Sequence, residues 1–208
     1  PALERAGARH AHVLVFHPEG QTALIAEAST RGDRLSWDAV MELRTHARGG
    51  LRGEGAVRVV EVRRPDRAFW AALTRSLREF EVTEPEAVAQ ILRIEREVLL
   101  PAGRRWFAVE GQGTYPALGS LTVLEGVGFV DHVVTLPEAR RQGFATAIVR
   151  RIVAEARAAG ASDVLLLAEP GGGAQRLYER LGFATTTQLA GTLRPLDPRP
   201  RVERPPVC

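Results

Sequence analysis

The run Val133–Thr135 leads through Leu136 and Pro137 into Arg140-Arg141-Gln142-Gly143-Phe144-Ala145-Thr146 and then into a long amphipathic stretch. Where a helix begins, its first main-chain N–H groups have no internal acceptor and the dipole end is positive. Gly143 and Ala145 carry little or no side chain, so an anion can approach those amides closely. Arg140 and Arg141 add charge beside them. Five Arg stand against one acid in residues 139–160. The chemistry on offer is main-chain capture of a diphosphate. Taken alone, Arg-x-x-Gly-x-Ala also describes an ordinary amphipathic helix with an Arg-rich first turn.

Groups able to move a proton flank this segment. Tyr178 is a phenol with an ordinary pKa near 10, able to donate to a thiolate with pKa near 8.5 or above. Its other reading is a packed ring with the hydroxyl at water. Asp131 lies within an apolar strand, where a carboxylate is costly unless paired or hydrogen-bonded. Its plain reading is a buried Asp that fastens the neighbouring strand. Alternation groups Asp131 with Phe129, Val133 and Thr135, and His132 with Val130 and Val134. His132 reads as a satisfied core histidine. Glu110 and Glu125 should face solvent. Glu84, Glu86, Glu95 and Glu97 read as a solvated helix face, and the three Trp as core or docking residues.

The elements that must hold these groups follow from periodicity. Val57–Val62 reads as a strand and Asp66 caps a helix to about Leu77. Thr83 and Glu86 suggest a capping box for a helix to about Leu99. Trp106–Glu110, Leu118–Leu124 and Val127–Thr135 read as strands. A helix over 142–159 carries an apolar stripe at Ala145, Ile148, Val149, Ile152, Ala156 and Ala159, and Gly160 stops it. Asp163–Ala168 is a continuous apolar strand, which suggests burial on both faces. A helix over Gly173–Leu181 and a strand over Phe183–Leu193 complete the series. The order β-α-α-β-β-β-α-β-α-β specifies a mixed sheet with helices on both sides. Upstream, His12–Phe16 and Thr22–Ala28 read as strands around a Pro-Glu-Gly turn, and Ser36 as the cap of a helix to about Arg48, with Trp37, Val40, Met41 and Arg44 at helical spacing.

Four glycines within Gly49–Gly55 and five prolines in the last fifteen residues mark breaks. They divide the chain into an N-terminal extension (1–55, strand-strand-helix), a main domain (56–193) and a Pro/Arg-rich tail (194–208).

Composition excludes several classes. All 28 cations among the 208 residues are Arg, so the pI near 9.9 reflects guanidinium chemistry more than net charge, which is only +3. Cations and acids balance at seven and seven in residues 1–56 and seventeen and sixteen in residues 57–193, which argues against a nucleic-acid binder. Without Lys there is no side-chain ammonium for Schiff-base chemistry. The single cysteine, Cys208, rules out an internal disulfide or a thiolate metal site. No signal pattern and no apolar run near ~20 residues occurs, so a cytoplasmic protein that does not enter a membrane is expected. The oligomeric state stays open, a homodimer included.

Residues 56–193 resemble the GNAT superfamily, whose signature of Arg or Gln, two variable residues, Gly, one variable residue, then Gly or Ala is matched by Arg140–Ala145. The family's later signature is matched by AQRLYERLGF (Ala174–Phe183), and FVDHVVTLPEARRQGFATAIV is similar to a group of actinobacterial-type GNAT proteins of unassigned substrate. The resemblance implies a mixed, mostly antiparallel twisted sheet with helices on both faces, the α/β (α+β) fold of acyl-CoA N-acyltransferases. It implies acetyl-CoA as co-substrate, no metal, and a small-molecule or peptide amine as acceptor. Val133, Val134 and Thr135 would pair with the pantetheine arm as an added strand, Gln142 to Thr146 would hold the diphosphate, Tyr178 would protonate the departing thiolate and Asp131 would receive the amine's proton. One departure is Gly171, where the family often has Asn seven residues before the Tyr, and it puts one contact to the coenzyme in question. Two other readings stand beside this one. A GNAT-fold acyl-CoA sensor with little catalysis is the first. The second is an unrelated phosphate-binding α/β protein, which the missing Walker and Gly-x-Gly-x-x-Gly patterns disfavour.

Overall fold

The computed structural model describes residues 10–44, 57–111 and 113–195. The Gly49–Gly55 break and the tail beyond residue 195 lie outside them. Two compact units emerge, Val40–Thr186 and a smaller one of Pro1–Ala39 with Thr187–Cys208.

In the larger unit, strands β3 (Val59–Glu61), β4 (Arg105–Gly111), β5 (Thr114–Leu124) and β6 (Val127–Thr135) pair antiparallel in that order, and β6 pairs parallel with β7 (Asp163–Ala168). The sheet is mixed and mostly antiparallel. Helix α2 (Arg67–Ser76) covers one face: Asp66 caps it by accepting from the Phe69 N–H at 2.8 Å, and Phe69, Ala72 and Leu73 meet Trp106, Ala108, Leu118 and Val134. Phe69 and Trp106 are buried, each contributing about 2–3 kcal/mol. Helix α4 (Phe144–Ala158) covers the other face through Ile148, Val149, Ile152, Val153 and Ala156, which are all buried. It seats closely: a Cβ on Gly119 would lie 2.5 Å from Ile148, and one on Gly128 would lie 2.8 Å from Ala156. Gly160, in the left-handed region, ends the chain's helical run as expected. Helix α5 (Gly173–Arg180) follows β7, and β8 (Phe183–Pro195) begins after Gly182.

Several sequence expectations need correction. The helix beginning with Pro85 (α3, Pro85–Ile94) has Glu84 at its cap with no side-chain hydrogen bond, so the Thr83/Glu86 capping box does not form. Pro85 sets the first helical φ by its ring instead. A π-helical turn, Glu95–Leu99, continues the helix. The long helix starts at Phe144, two residues later than expected, because Gly143 adopts φ 77°. Strand β7 is buried on one face only: Val164, Leu166 and Ala168 are covered, while Leu167 is 37% exposed.

The N-terminal residues depart most. Thr22–Thr30 is a helix (α1), where a strand was expected; three Ala with Leu and Glu favour the helix. Residues 34–43 form strand β2 (Arg34–Leu43), where a helix was expected. Ala39, Met41 and Leu43 are the buried residues, a period of two that the helical reading of Val40 and Met41 overlooked. The N-terminal pattern is therefore strand-helix-strand. Strand β1 (His10–Phe16) pairs antiparallel with Leu189–Pro195 of β8. Gly191 has no room for a side chain there, since a Cβ would sit 2.4 Å from Ser36 Oγ. Trp37 is 40% exposed and is not a core residue.

Candidate functional site

The site depends on where β6 leaves β7. The two strands pair from Val127↔Asp163 to Val130↔Leu166 and no further, although β6 continues to Thr135, paired with β5 up to Ala117↔Thr135. Along Asp131–Thr135 one edge of β6 therefore has no strand beside it among the described residues. A bulge marks the point of departure. His132 has φ 51°, and two β6 residues oppose one residue of β5 between the pairs Ser120↔Asp131 and Leu118↔Val134. A bulge bends the strand and raises its twist.

The bulge also changes which residues share a face. Ser120 and Leu118 point to one side, so Asp131 and Val134, their partners, do as well. Val133 lies on the α4 side, within 3.6 Å of where a Gly119 Cβ would be. The expected grouping of Asp131 with Val133 and of His132 with Val130 therefore does not hold, whereas His132 and Val134 do share a face, both on the side of Trp106.

At the unpaired edge lies a cleft of about 780 Å³. Val133, Val134 and Thr135 line it, as do Arg140, Arg141, Gly143, Phe144, Ala145 and Thr146. Of the expected coenzyme residues only Gln142 is absent from this lining; it is exposed. From α5 come Arg176, Arg180 and Tyr178, and from the turn after α2 come Glu79 and Phe80. Four guanidinium groups and one carboxylate make the cleft cationic. The first intrahelical bond of α4 runs from the Ala147 N–H to the Gly143 carbonyl, so the amides just before it face the cleft mouth without a helical acceptor. Thr135 Oγ1 is buried and has no hydrogen-bond partner. An orphaned hydroxyl beside an unpaired strand edge fits a ligand that brings its own hydrogen-bonding groups. Gly171, the departure noted in the sequence, has φ 74°; its N–H donates to Gln175 Oε1 at 2.6 Å and its carbonyl accepts from Arg176 at 2.8 Å.

Tyr178 is buried, its ring edge-on to Phe183. Burial, and then the negative charge of Asp131, push its pKa up to about 12. Asp131 is held on both oxygens: Oδ1 accepts from the His132 N–H at 2.8 Å and Oδ2 from Arg104 at 2.8 Å. Its side chain remains 39% exposed. His132 is a satisfied core histidine, in contact with Trp106 and Phe80. Ser76 Oγ donates to the Leu73 carbonyl, so it accepts from His132 Nε2 at 2.7 Å, which selects the Nε2–H tautomer. Burial lowers this imidazole to a pKa of about 4.

Sequence reasoning missed Glu95. It was expected on a solvated helix face, but it is 3% exposed. Trp106 Nε1 donates to its Oε1 at 2.6 Å, and Arg104 approaches Oε2 at 3.5 Å. Burial pushes its pKa up, against the indole hydrogen bond and the Arg104 charge. A signal was present: Glu95 continues the stripe Val88, Ile91, Leu92 at helical spacing. Glu84, Glu86 and Glu97 are exposed, as expected, and so are Glu110 and Glu125. Glu79 was also missed; its carboxylate pairs with Arg140, and Arg75 pairs with Glu138 alongside at 2.6 Å. Among the described residues no group of three His, Cys, Asp or Glu could hold a metal ion, and no helix is long and apolar enough to cross a membrane.

Comparison with known proteins bears on this geometry. The model of the acetyltransferase (GNAT) family matches residues 67–183, more than half of the chain. No curated protein matches. Among solved structures, the chain is similar to a conserved protein of unknown function from Staphylococcus epidermidis, with 14% identity over 92% of this chain and 75% of that one and a TM-score of 0.73. It is similar to a GCN5-related N-acetyltransferase from Kribbella flavida, with 19% identity, 97% and 73% covered and a TM-score of 0.65. A third likeness is to a GCN5-related N-acetyltransferase from Sphaerobacter thermophilus, with 18% identity, 91% and 60% covered and a TM-score of 0.58. At these identities the likeness is one of fold.

Proposed function

This chain belongs to the GNAT acetyltransferase family, and we propose that it transfers an acetyl group from acetyl-CoA to a primary amine. Family membership supports acyl transfer in general. The unpaired edge of β6 at Val133–Thr135, opening into a cationic cleft at the start of α4, is the observation that carries the choice of donor. An extended amide-bearing arm can pair with that edge as another strand would. A diphosphate can take the free amides of residues 143–146, with Arg140 and Arg141 beside it. Arg176 and Arg180 supply charge from the opposite wall.

Acetyl-CoA brings a thioester whose C–S bond breaks as the amine nitrogen bonds to the carbonyl carbon. Holding both reactants in place supplies much of the rate. Tyr178 stays protonated throughout the neutral range and so is always a donor. Handing its proton fully to a thiolate whose conjugate acid has pKa about 8.5 would run uphill by about 3.5 units, or about 5 kcal/mol. Its role is therefore a hydrogen bond to the departing sulfur. The exposed part of the Asp131 carboxylate takes up the proton that the amine must lose, directly or through water.

One observation favours a second reading, a coenzyme-binding module with little catalysis: both Asp131 oxygens already have donors. Two measurements decide. A thermal-shift panel with acetyl-CoA, CoA and ATP should show a clear rise in melting temperature with the first two; no rise with either defeats the donor assignment. Thiol release on a panel of small amines and peptide N-termini should then show turnover. Coenzyme binding without release on any amine would favour the module.

A further inference from the structure

Two local distortions lie on either side of β4, and one side-chain chain joins them. The first is the π-helical turn Glu95–Leu99, which begins at the buried Glu95. The second is the β6 bulge, with His132 in the left-handed region. Such distortions cost free energy and persist where the surroundings hold them. Here the holder is specific. The Glu95 carboxylate takes the Trp106 indole N–H on one oxygen and faces Arg104 with the other. Arg104 reaches on to Asp131, and Asp131 accepts the His132 main-chain N–H inside the bulge. Arg104 is only 14% exposed, and its Nε–H has no acceptor, so its orientation is set by these two carboxylates.

We propose that Glu95 and Arg104 are positioning residues that lock the β6 bulge and so hold the free edge of Val133–Thr135 in register for the pantetheine arm of acyl-CoA. The proposal rests on the donor assignment above. Its physical basis is that a side-chain period of two makes register all-or-none: losing the extra residue at 132 moves each following amide and side chain to the opposite side. The main-chain groups that should meet the ligand would then turn in the sheet plane toward β5, and the side chains would change faces. The start of α4, by contrast, has its own geometry at Gly143 and does not depend on the bulge.

That separation supplies the test. Calorimetry measures binding of acetyl-CoA and of 3′,5′-ADP, which keeps phosphates and lacks the pantetheine arm. Arg104→Met removes the link between the two carboxylates. It should weaken acetyl-CoA at least fivefold and change 3′,5′-ADP less than twofold. A merely structural role would weaken both alike through loss of folded protein, so an equal loss, or no loss, overturns the proposal. Should Arg104→Met fail to fold, Glu95→Gln, which keeps an oxygen for the indole, carries the same comparison with the same thresholds. If the unaltered protein binds neither probe, the donor assignment itself fails, and this inference with it.

Discussion

The helix start that lines the cleft and the β6 bulge that precedes the cleft's strand edge are built on different principles. The phosphate end is main chain: a glycine at φ 77°, a helix start and small residues over about seven consecutive positions. The bulge end is side chain: Glu95, Arg104, Trp106, Asp131 and His132 come from α3's extension, β4's approach and β6, and they meet only in the folded protein. The first is a local device that any chain with this order of residues can make. The second is a cooperative one, in which buried charges are tolerated because each has a partner. The phosphate end should therefore fail at single backbone positions. The bulge end should fail through protonation and truncation of partners.

The largest expected effect sharpens the local side of that contrast. Gly143→Val has open space for its side chain but must hold a β-branched residue at φ 77°. Strain and the loss of close approach together should cost coenzyme binding about 3 kcal/mol, roughly a hundredfold in the calorimetric Kd. If the Gly143→Val variant bound acetyl-CoA normally, the helix start would not be the anion site.

The next effect belongs to the cooperative side. His132 has a folded pKa of about 4 against an ordinary value of 6.5. Below pH 6.5 the unfolded chain takes a proton on this ring while the folded chain does not until about pH 4. Stability is thus lost as pH falls through that window, by roughly 3 kcal/mol in all. Glu95, with its raised pKa, acts in the opposite sense above its ordinary range, so the difference between two proteins is the clean measure. His132→Asn should show a flatter decline of melting temperature between pH 6.5 and 4.5 than the parent; parallel curves would break the assignment.

Smaller, and on the boundary between the two regions, is Tyr178→Phe. Removing one hydrogen bond to a developing charge should lower turnover by about 2 kcal/mol, roughly thirtyfold, with the acetyl-CoA Kd changed less than twofold. Unchanged turnover would remove the phenol from the chemistry.

Legibility in the sequence followed the same divide. The order of elements in the main domain, the Asp66 cap and the gathering of Val133–Thr135 with Arg140–Thr146, Gln142 apart, around one cleft were all readable, since each rests on neighbours within a turn or two. The Thr83 capping box failed because Pro85 offered a competing local solution. The N-terminal residues failed on period: Thr22–Thr30 and Arg34–Leu43 are short, and a few apolar residues fit both 3.6 and 2. The grouping of Asp131 with Val133 and of His132 with Val130 failed at the bulge, which no residue type announces.

From its amino acids alone the chain determined a glycine-gated helix start, a strand before it and a Tyr-bearing helix after it, because main-chain geometry responds to residues close in sequence. Tertiary structure decided that β6 parts from β7 at Val130, that His132 turns left-handed, and that Glu95 is buried against Trp106. Those outcomes depend on partners separated along the chain. A carboxylate's position, inside or in water, is settled only once the cation and the donor that compensate it have arrived.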